Sequence, residues 1–73
     1  MPKLPAVKPR EVINALERIG FYKVRQRGSH HQMKRGNLLV TVPVHPGDIT
    51  PGTLKSILRQ AKLDINEFVK LLQ

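Results

Sequence analysis

The chain has 73 residues, which is enough for one small domain spanning 1–73, and it contains no cysteine, which excludes disulfides and thiolate metal sites. Thirteen Lys and Arg against five Asp and Glu give a formal charge of +8, which predicts a polyanionic partner such as nucleic acid or an acidic protein. No apolar run approaches the ~18 residues of a membrane span or suits a signal peptide, so we expect a cytoplasmic protein without a membrane partner.

The first predicted element is a helix. Residues 1–7 contain two prolines and no apolar periodicity, which predicts a flexible, poorly ordered arm or an extended one. Pro9 then suits a first helical turn, and Gly20 is placed to end the helix in a left-handed conformation. Apolar side chains recur at helical spacing at Val12, Ile13, Leu16 and Ile19. The pattern predicts a helix over 8–19.

Two strands are predicted next, because the apolar period changes to two from Phe21 onward. A turn at Gly28-Ser29 separates the first strand from a second one at 30–35. Met33 is the clearly apolar side chain of the second strand, so it should face the core and bring His31 to the same face. On the opposite, open face we expect Lys23, Arg25, His30, Gln32 and Lys34.

A third strand should follow the hairpin turn at Gly36-Asn37. Its expected inward row is Leu38, Val40, Val42 and Val44. Pro43 lacks an amide donor, so strand pairing should end near it.

Two helices are predicted after a loop at 45–49. Thr50-Pro51 gives a cap and a first-turn proline, and the second main helix then buries Leu54, Ile57, Leu58 and Ala61. Its exposed side carries a basic ridge of Lys55, Arg59 and Lys62. Asp64 and Glu67 form a capping box for a short terminal helix, and Lys62 makes the corner before it costly if its φ is positive.

The predicted fold class is therefore α+β, in the order α-β-β-β-α with a short C-terminal helix. Short connections favour a three-stranded antiparallel sheet. Because a sheet of this size buries only one face, both main helices should pack on that face and leave the other face open.

The stretch from Arg25 to Arg35 concentrates the chemistry of the chain. It places two histidines among four fixed positive charges, and no acidic residue occurs from Arg18 through Gly47. Neutral imidazoles in a positive field suit a phosphate-containing ligand. His30 and His31 should point to opposite faces of their strand, and the nearest carboxylates in sequence are Glu17 and Asp48, so we expect no metal site.

Three blocks of the chain follow one another in order: Gly28-Ser29-His30-His31, then Val42-Pro43-Val44-His45, and then the helix beginning Pro51-Gly52-Thr53-Leu54. In this order and spacing they resemble the HicA family of mRNA interferase toxins. The resemblance runs from about Pro9 to Leu72. It implies a fold like that of double-stranded-RNA-binding domains, cleavage of mRNA by a toxin, and neutralisation by a cognate HicB-type antitoxin. Separately, we expect no cofactor.

In the family that the chain resembles, the catalytic histidine directly follows Gly-Ser, which is His30 here. Metal-free cleavage of RNA needs a base for the 2′-hydroxyl proton and positive charge for the phosphorane. With His30 as that base, the expected product is a 2′,3′-cyclic phosphate, and DNA should resist cleavage. The side chains and turn expected to contact RNA are Arg25, Arg27, Gly28, Ser29, Lys34, Lys55 and Arg59.

Several alternatives remain open at this point. His30 could contact phosphate without catalysis, which would make the chain a noncatalytic RNA-binding module, or the chain could be chiefly a protein-interaction subunit. Gly28-Ser29 fits a phosphate-binding turn or a plain turn, and Lys55 with Arg59 fits an RNA-binding ridge or a solvated helix face. His31 is expected in the core or at a sheet edge, and His45 is expected to fix its loop by a hydrogen bond.

Overall fold

One antiparallel sheet and three helices make up the fold in the computed structural model, which describes residues 4–72. The elements are α1 (Pro9–Arg18), β1 (Tyr22–Arg27), β2 (His30–Arg35), β3 (Leu38–Pro43), α2 (Pro51–Ala61) and α3 (Ile65–Leu71). The strand order is β1-β2-β3, with both pairings antiparallel. The predicted α+β class and element order are confirmed. Within residues 4–72 no helix has the length and apolarity needed to cross a membrane.

Both ends of α1 are set by local sequence. At its start the Lys8 amide donates to the Glu11 carboxylate at 2.9 Å. At its end Gly20 adopts φ 99°, and the Phe21 amide donates back to the Leu16 carbonyl at 3.1 Å. That bond across a left-handed glycine closes the last turn and directs the chain into β1. The predicted helix 8–19 therefore corresponds to α1 with its two flanking residues.

The sheet buries one face beneath the helices. On this helix-side face Met33 is paired with Val40, and His31 is paired with Val42. Met33 and both valines are fully buried, together with Leu16 of α1, Leu54 and Ile57 of α2, and Phe68 of α3. Successive side chains of a strand point to opposite faces, and paired residues of neighbouring strands share a face. His30, Gln32 and Lys34 therefore lie on the opposite, open face, as predicted.

A β-bulge in β1 overturns one expectation. The pairing of β1 with β2 shifts between Lys23, which is opposite Met33, and Arg25, which is opposite Gln32. The extra residue, Val24, inverts the alternation of side chains along the strand. Lys23 was predicted on the open face, and this was wrong: it lies on the helix-side face. Tyr22 instead lies on the open face, opposite Lys34, and is 55% exposed.

The outer edge of β3 is covered by α2. The Thr41 amide donates to Oε1 of Gln60 at 2.9 Å, and Nε2 of Gln60 donates to the Ser56 hydroxyl at 3.3 Å. A side chain bonded to the edge strand in this way obstructs pairing with another chain. The strand ends at Pro43 as predicted. Val44, expected in the inward row, lies beyond the strand and lines cavities on the helix side, but it is 38% exposed and is not part of the core.

The segment before α1 takes part in the core. Val7 is 1% exposed, its carbonyl accepts the Ile49 amide at 2.8 Å, and Leu4 packs against the core cluster. A flexible or extended arm was predicted over residues 1–7, but Val7 is a core residue and its backbone is bonded to the loop before α2. Residues 1–3 of that prediction lie outside the described residues.

The corner between α2 and α3 forms at a lysine. Lys62 has φ 57° and ψ 44°, and beyond it the Leu63 amide donates to the Leu58 carbonyl at 2.9 Å. Lys62 therefore has the positive φ on which the predicted cost depends, in a left-handed position where glycine is the usual residue. The capping box of α3 also forms: the Glu67 amide donates to Oδ1 of Asp64 at 2.7 Å.

Candidate functional site

His30 stands on the open face at one end of the sheet. It is the first residue of β2, directly after the two-residue turn Gly28-Ser29, and its side chain is exposed. Its cross-strand neighbours are Arg27 on β1 and Pro43 on β3. Gly28 adopts φ 56°, a conformation that glycine accepts without strain, so the turn holds His30 at the tip of the hairpin. The imidazole is therefore open to a ligand from solvent.

Three cations that were predicted to contact RNA share this face with His30. Arg27 lies opposite His30, Arg25 lies opposite Gln32, and Lys34 lies further along β2, and all three are exposed. None of the side chains that the strand register places on the open face is a carboxylate. Positive charge on this face is consequently uncompensated, which favours a phosphodiester ligand beside His30.

Arg35, the remaining cation of this stretch, has a structural role. Its Nη1 donates to the Ile19 carbonyl at 2.7 Å, and its guanidinium carbon lies 5.2 Å from the centroid of the Phe21 ring. The side chain thereby joins the end of β2 to the end of α1, and its cation–π contact adds to that link. Arg35 is held away from the open face.

His31 faces α1 on the other side of the sheet, as predicted. Nε2 of Gln26 donates to the Gly28 carbonyl at 3.3 Å, which leaves Oε1 of Gln26 to accept a hydrogen bond from Nδ1 of His31, also at 3.3 Å. Nε2 of His31 is then an unprotonated acceptor, and it is buried without a hydrogen-bond partner. His31 and His30 cannot serve the same phosphate, because they point to opposite faces.

Burial and positive neighbours act on the protonation of His31. Burial lowers the pKa of His31 below the ordinary value of 6.5, and the positive charges of Lys23 and Arg10 lower it further. The Glu17 carboxylate acts in the opposite direction and raises it. The neutral ring with its proton on Nδ1 is therefore the form that the folded chain favours.

This shift predicts a pH dependence of stability. Since folding lowers the pKa of His31, the unfolded chain binds the proton more tightly than the folded chain does. This contribution to stability is complete above the unfolded value of 6.5 and is lost as the pH falls through 6.5 toward the lowered pKa. Urea unfolding at a series of pH values between about 7.5 and 5.5 should show this loss. A His31→Gln variant should show a flatter dependence, and an equally steep one would contradict the assignment.

The other predicted site residues are distributed differently. His45 is exposed, and its Nδ1 donates to the Pro46 carbonyl at 3.0 Å, in agreement with the expected loop-fixing bond. Lys55 and Arg59 are exposed on α2. Since α2 packs on the helix-side face, the structure does not bring these two cations into the group around His30.

Sequence reasoning overlooked side chains on both faces. Tyr22 and Leu39 flank Lys34 on the open face, and both are more than half exposed, at 55% and 51%. On the helix side, Arg10 and Lys23 line a cavity beside His31. The bulge that places Tyr22 and Lys23 has no signal in the periodicity of β1. Within residues 4–72 no group of three or more His, Asp or Glu side chains could hold a metal ion.

Comparison with known proteins gives one family. The model of a family described as HicA toxin of bacterial toxin-antitoxin matches residues 9–63, which is more than half of the chain. The matched span runs from the start of α1 through the corner after α2, and it includes His30 and its cationic neighbours. No curated protein matches the chain.

Proposed function

The chain belongs to the HicA toxin family of bacterial toxin–antitoxin systems, and from this premise we propose that it is an endoribonuclease that cleaves mRNA without a metal ion. Its place in the family makes it the toxin of such a system, with a cognate antitoxin as its partner. The proposal extends this role to a reaction, a substrate and a catalytic residue, His30.

The position of His30 is the observation that supports the reaction best. The imidazole is exposed at the tip of the β1–β2 hairpin, with Arg27 opposite it and Arg25 further along the same strand. A base accessible to solvent and flanked by guanidinium groups suits a phosphodiester, because arginine binds phosphate oxygens in a bidentate manner. The open face has the width of three strands, so an RNA strand can lie across it.

The proposed reaction is an intramolecular transesterification. His30 removes the proton of a ribose 2′-hydroxyl, and the 2′-oxygen forms a bond to the adjacent phosphorus. Arg27 and Arg25 stabilise the charge of the phosphorane. The bond to the 5′-oxygen then breaks, that oxygen takes a proton from water, and the products are a 2′,3′-cyclic phosphate and a 5′-hydroxyl end. DNA lacks the nucleophile and is not cleaved.

Cleavage of mRNA in EDTA tests the metal-free reaction. We expect the chain to cut RNA equally well with and without EDTA, and we expect mass spectrometry to find 2′,3′-cyclic phosphate ends. An RNA with a 2′-deoxyribose at the cut position should resist cleavage there while other positions are still cut. Abolition of activity by EDTA, or products with 3′-hydroxyl ends, would refute the mechanism.

A noncatalytic RNA-binding module of the same fold is the second candidate function. The same open basic face supports it, because phosphate binding requires exposed cations and no proton transfer. This candidate predicts that the purified chain binds RNA and leaves it intact under every condition. The cleavage assay separates the two functions.

The proposed antitoxin is of HicB type and acts by covering the open face. Tyr22 and Leu39 supply exposed apolar area beside the cations, which is the composition of a protein-binding surface with charged surroundings. An antitoxin with acidic residues around an apolar centre would complement it. Bound there, it would exclude mRNA from His30.

A further inference from the structure

A second basic surface lies on the helix side of the sheet, at the same end as His30. Two cavities of about 320 Å³ each adjoin there, since Arg10 and Val44 line both. One extends to Lys23 and His31, and the other to Lys8 and His45. We call the pair the helix-side groove and define it by Lys8, Arg10, Lys23, His31 and His45.

The charged side chains that line the helix-side groove are all cations, set among apolar and neutral ones such as Ile13, Gln26 and Val44. Lys8, Arg10 and Lys23 are exposed, and no carboxylate lines either cavity. The acidic neighbour that acts on His31 is Glu17, which is not part of the lining. Lys23 belongs to the groove only because the bulge in β1 turns it to the helix side. Three exposed cations around a concave surface whose lining contains no carboxylate suit phosphate groups.

The helix-side groove and His30 are separated by little more than the thickness of the sheet backbone. His30 and His31 are consecutive residues of β2 that point to opposite faces, so their Cα atoms are only ~3.8 Å apart. Val44, which lines both cavities, donates its amide to the carbonyl of Ser29, the residue before His30, at 2.6 Å. The β1–β2 turn at the end of the sheet has only two residues. A side chain added at Gly28 would meet no atom within 4 Å of its Cβ. The end of the sheet is therefore a thin, open edge.

We propose that the helix-side groove binds phosphates of the RNA strand that flanks the cut position, so that the substrate crosses the β1–β2 turn from His30 on the open face to Arg10 and Lys23 on the helix side. This inference rests on the proposed function, because it assigns the groove to the same substrate. It explains why a chain with a net charge of +8 carries cations on both faces at this end.

The experiment measures binding of a single-stranded RNA of about 20 nucleotides by fluorescence anisotropy at several salt concentrations. A His30→Ala background keeps the RNA intact. Arg10→Gln and Lys23→Gln remove one exposed cation each, and Lys70→Gln removes one from the exposed side of α3 as the matched control. Each groove variant should reduce the slope of log affinity against log salt by ~0.7 for each phosphate that its side chain no longer neutralises, and the control should leave the slope unchanged.

Equal slopes for the groove variants and Lys70→Gln would overturn the proposal. The proposal would also be overturned if the groove binds protein. In that case Arg10→Gln and Lys23→Gln would weaken binding of the antitoxin and leave the salt slope for RNA unchanged. Thermal unfolding of each variant verifies that it is folded. The cleavage assay with the native protein tests the proposed function separately. If that function is wrong, the native protein leaves RNA intact, whatever the salt slopes of the variants are.

Discussion

Replacing His30 with alanine is expected to reduce cleavage of mRNA by about 10²–10⁴-fold, the usual contribution of a positioned general base. RNA affinity should change by less than about twofold, because Arg25, Arg27 and Lys34 stay on the open face and phosphate contacts dominate the affinity. His30 is exposed, so its truncation leaves no cavity and should not alter stability. Single-turnover cleavage and equilibrium binding, measured with the same RNA, check both parts.

A glutamine at the same position separates proton transfer from simple contact. His30→Gln keeps a hydrogen-bonding side chain but has no titratable ring, so we expect it to be as inactive as His30→Ala. Asn37→Ala, an exposed change in the turn at the other end of β2, is the control and should cleave normally. Normal cleavage by His30→Gln would show that His30 is a binding residue and not the base.

The same variants have an expected outcome in cells. The native toxin should arrest growth when it is produced without its antitoxin, whereas His30→Ala should not. Co-production of the antitoxin should relieve the arrest. If His30→Ala arrests growth as strongly as the native chain, toxicity comes from binding, and the noncatalytic candidate is the better account.

Phe68→Ala is expected to lower the free energy of unfolding by ~3–5 kcal/mol, as is usual for removing a buried phenylalanine. Phe68 is fully buried in the core, and its helix α3 is tied to α1 by a 2.8 Å bond from Nη1 of Arg18 to the Leu71 carbonyl. A domain of this size is near the low end of the usual ~5–15 kcal/mol of stability. The loss should lower the thermal midpoint by at least ~12 °C.

Lys70→Ala on the same helix is the control for Phe68→Ala, because Lys70 is exposed and its change should stay within about 0.5 kcal/mol. The family match ends at residue 63, before α3, so this pair also tests whether α3 belongs to the folding unit. A loss of less than about 1 kcal/mol in Phe68→Ala would show that it does not. Well below the unfolding midpoint, Phe68→Ala should still cleave RNA, since His30 lies in the sheet.

Much of the fold follows from short-range sequence signals. The bounds of α1, the hairpin turns and the capping box of α3 depend on residues within a few positions of one another, so the sequence predicts them. The opposite orientations of His30 and His31 also follow from the period-two geometry of a regular strand. The same reasoning failed at Lys23, since periodicity does not reveal where a bulge interrupts it.

The sequence by itself thus determined the α+β class, the order of the elements and the exposure of His30, because these properties depend on local conformation and on which side chains are apolar. Only the tertiary structure decided that Lys23 turns to the helix side, that Arg35 bonds to the end of α1, and that Val7 enters the core. Each of these depends on pairing between segments distant in the chain. The energies of such contacts are set by the final packing, and no pattern along a single strand or helix encodes them.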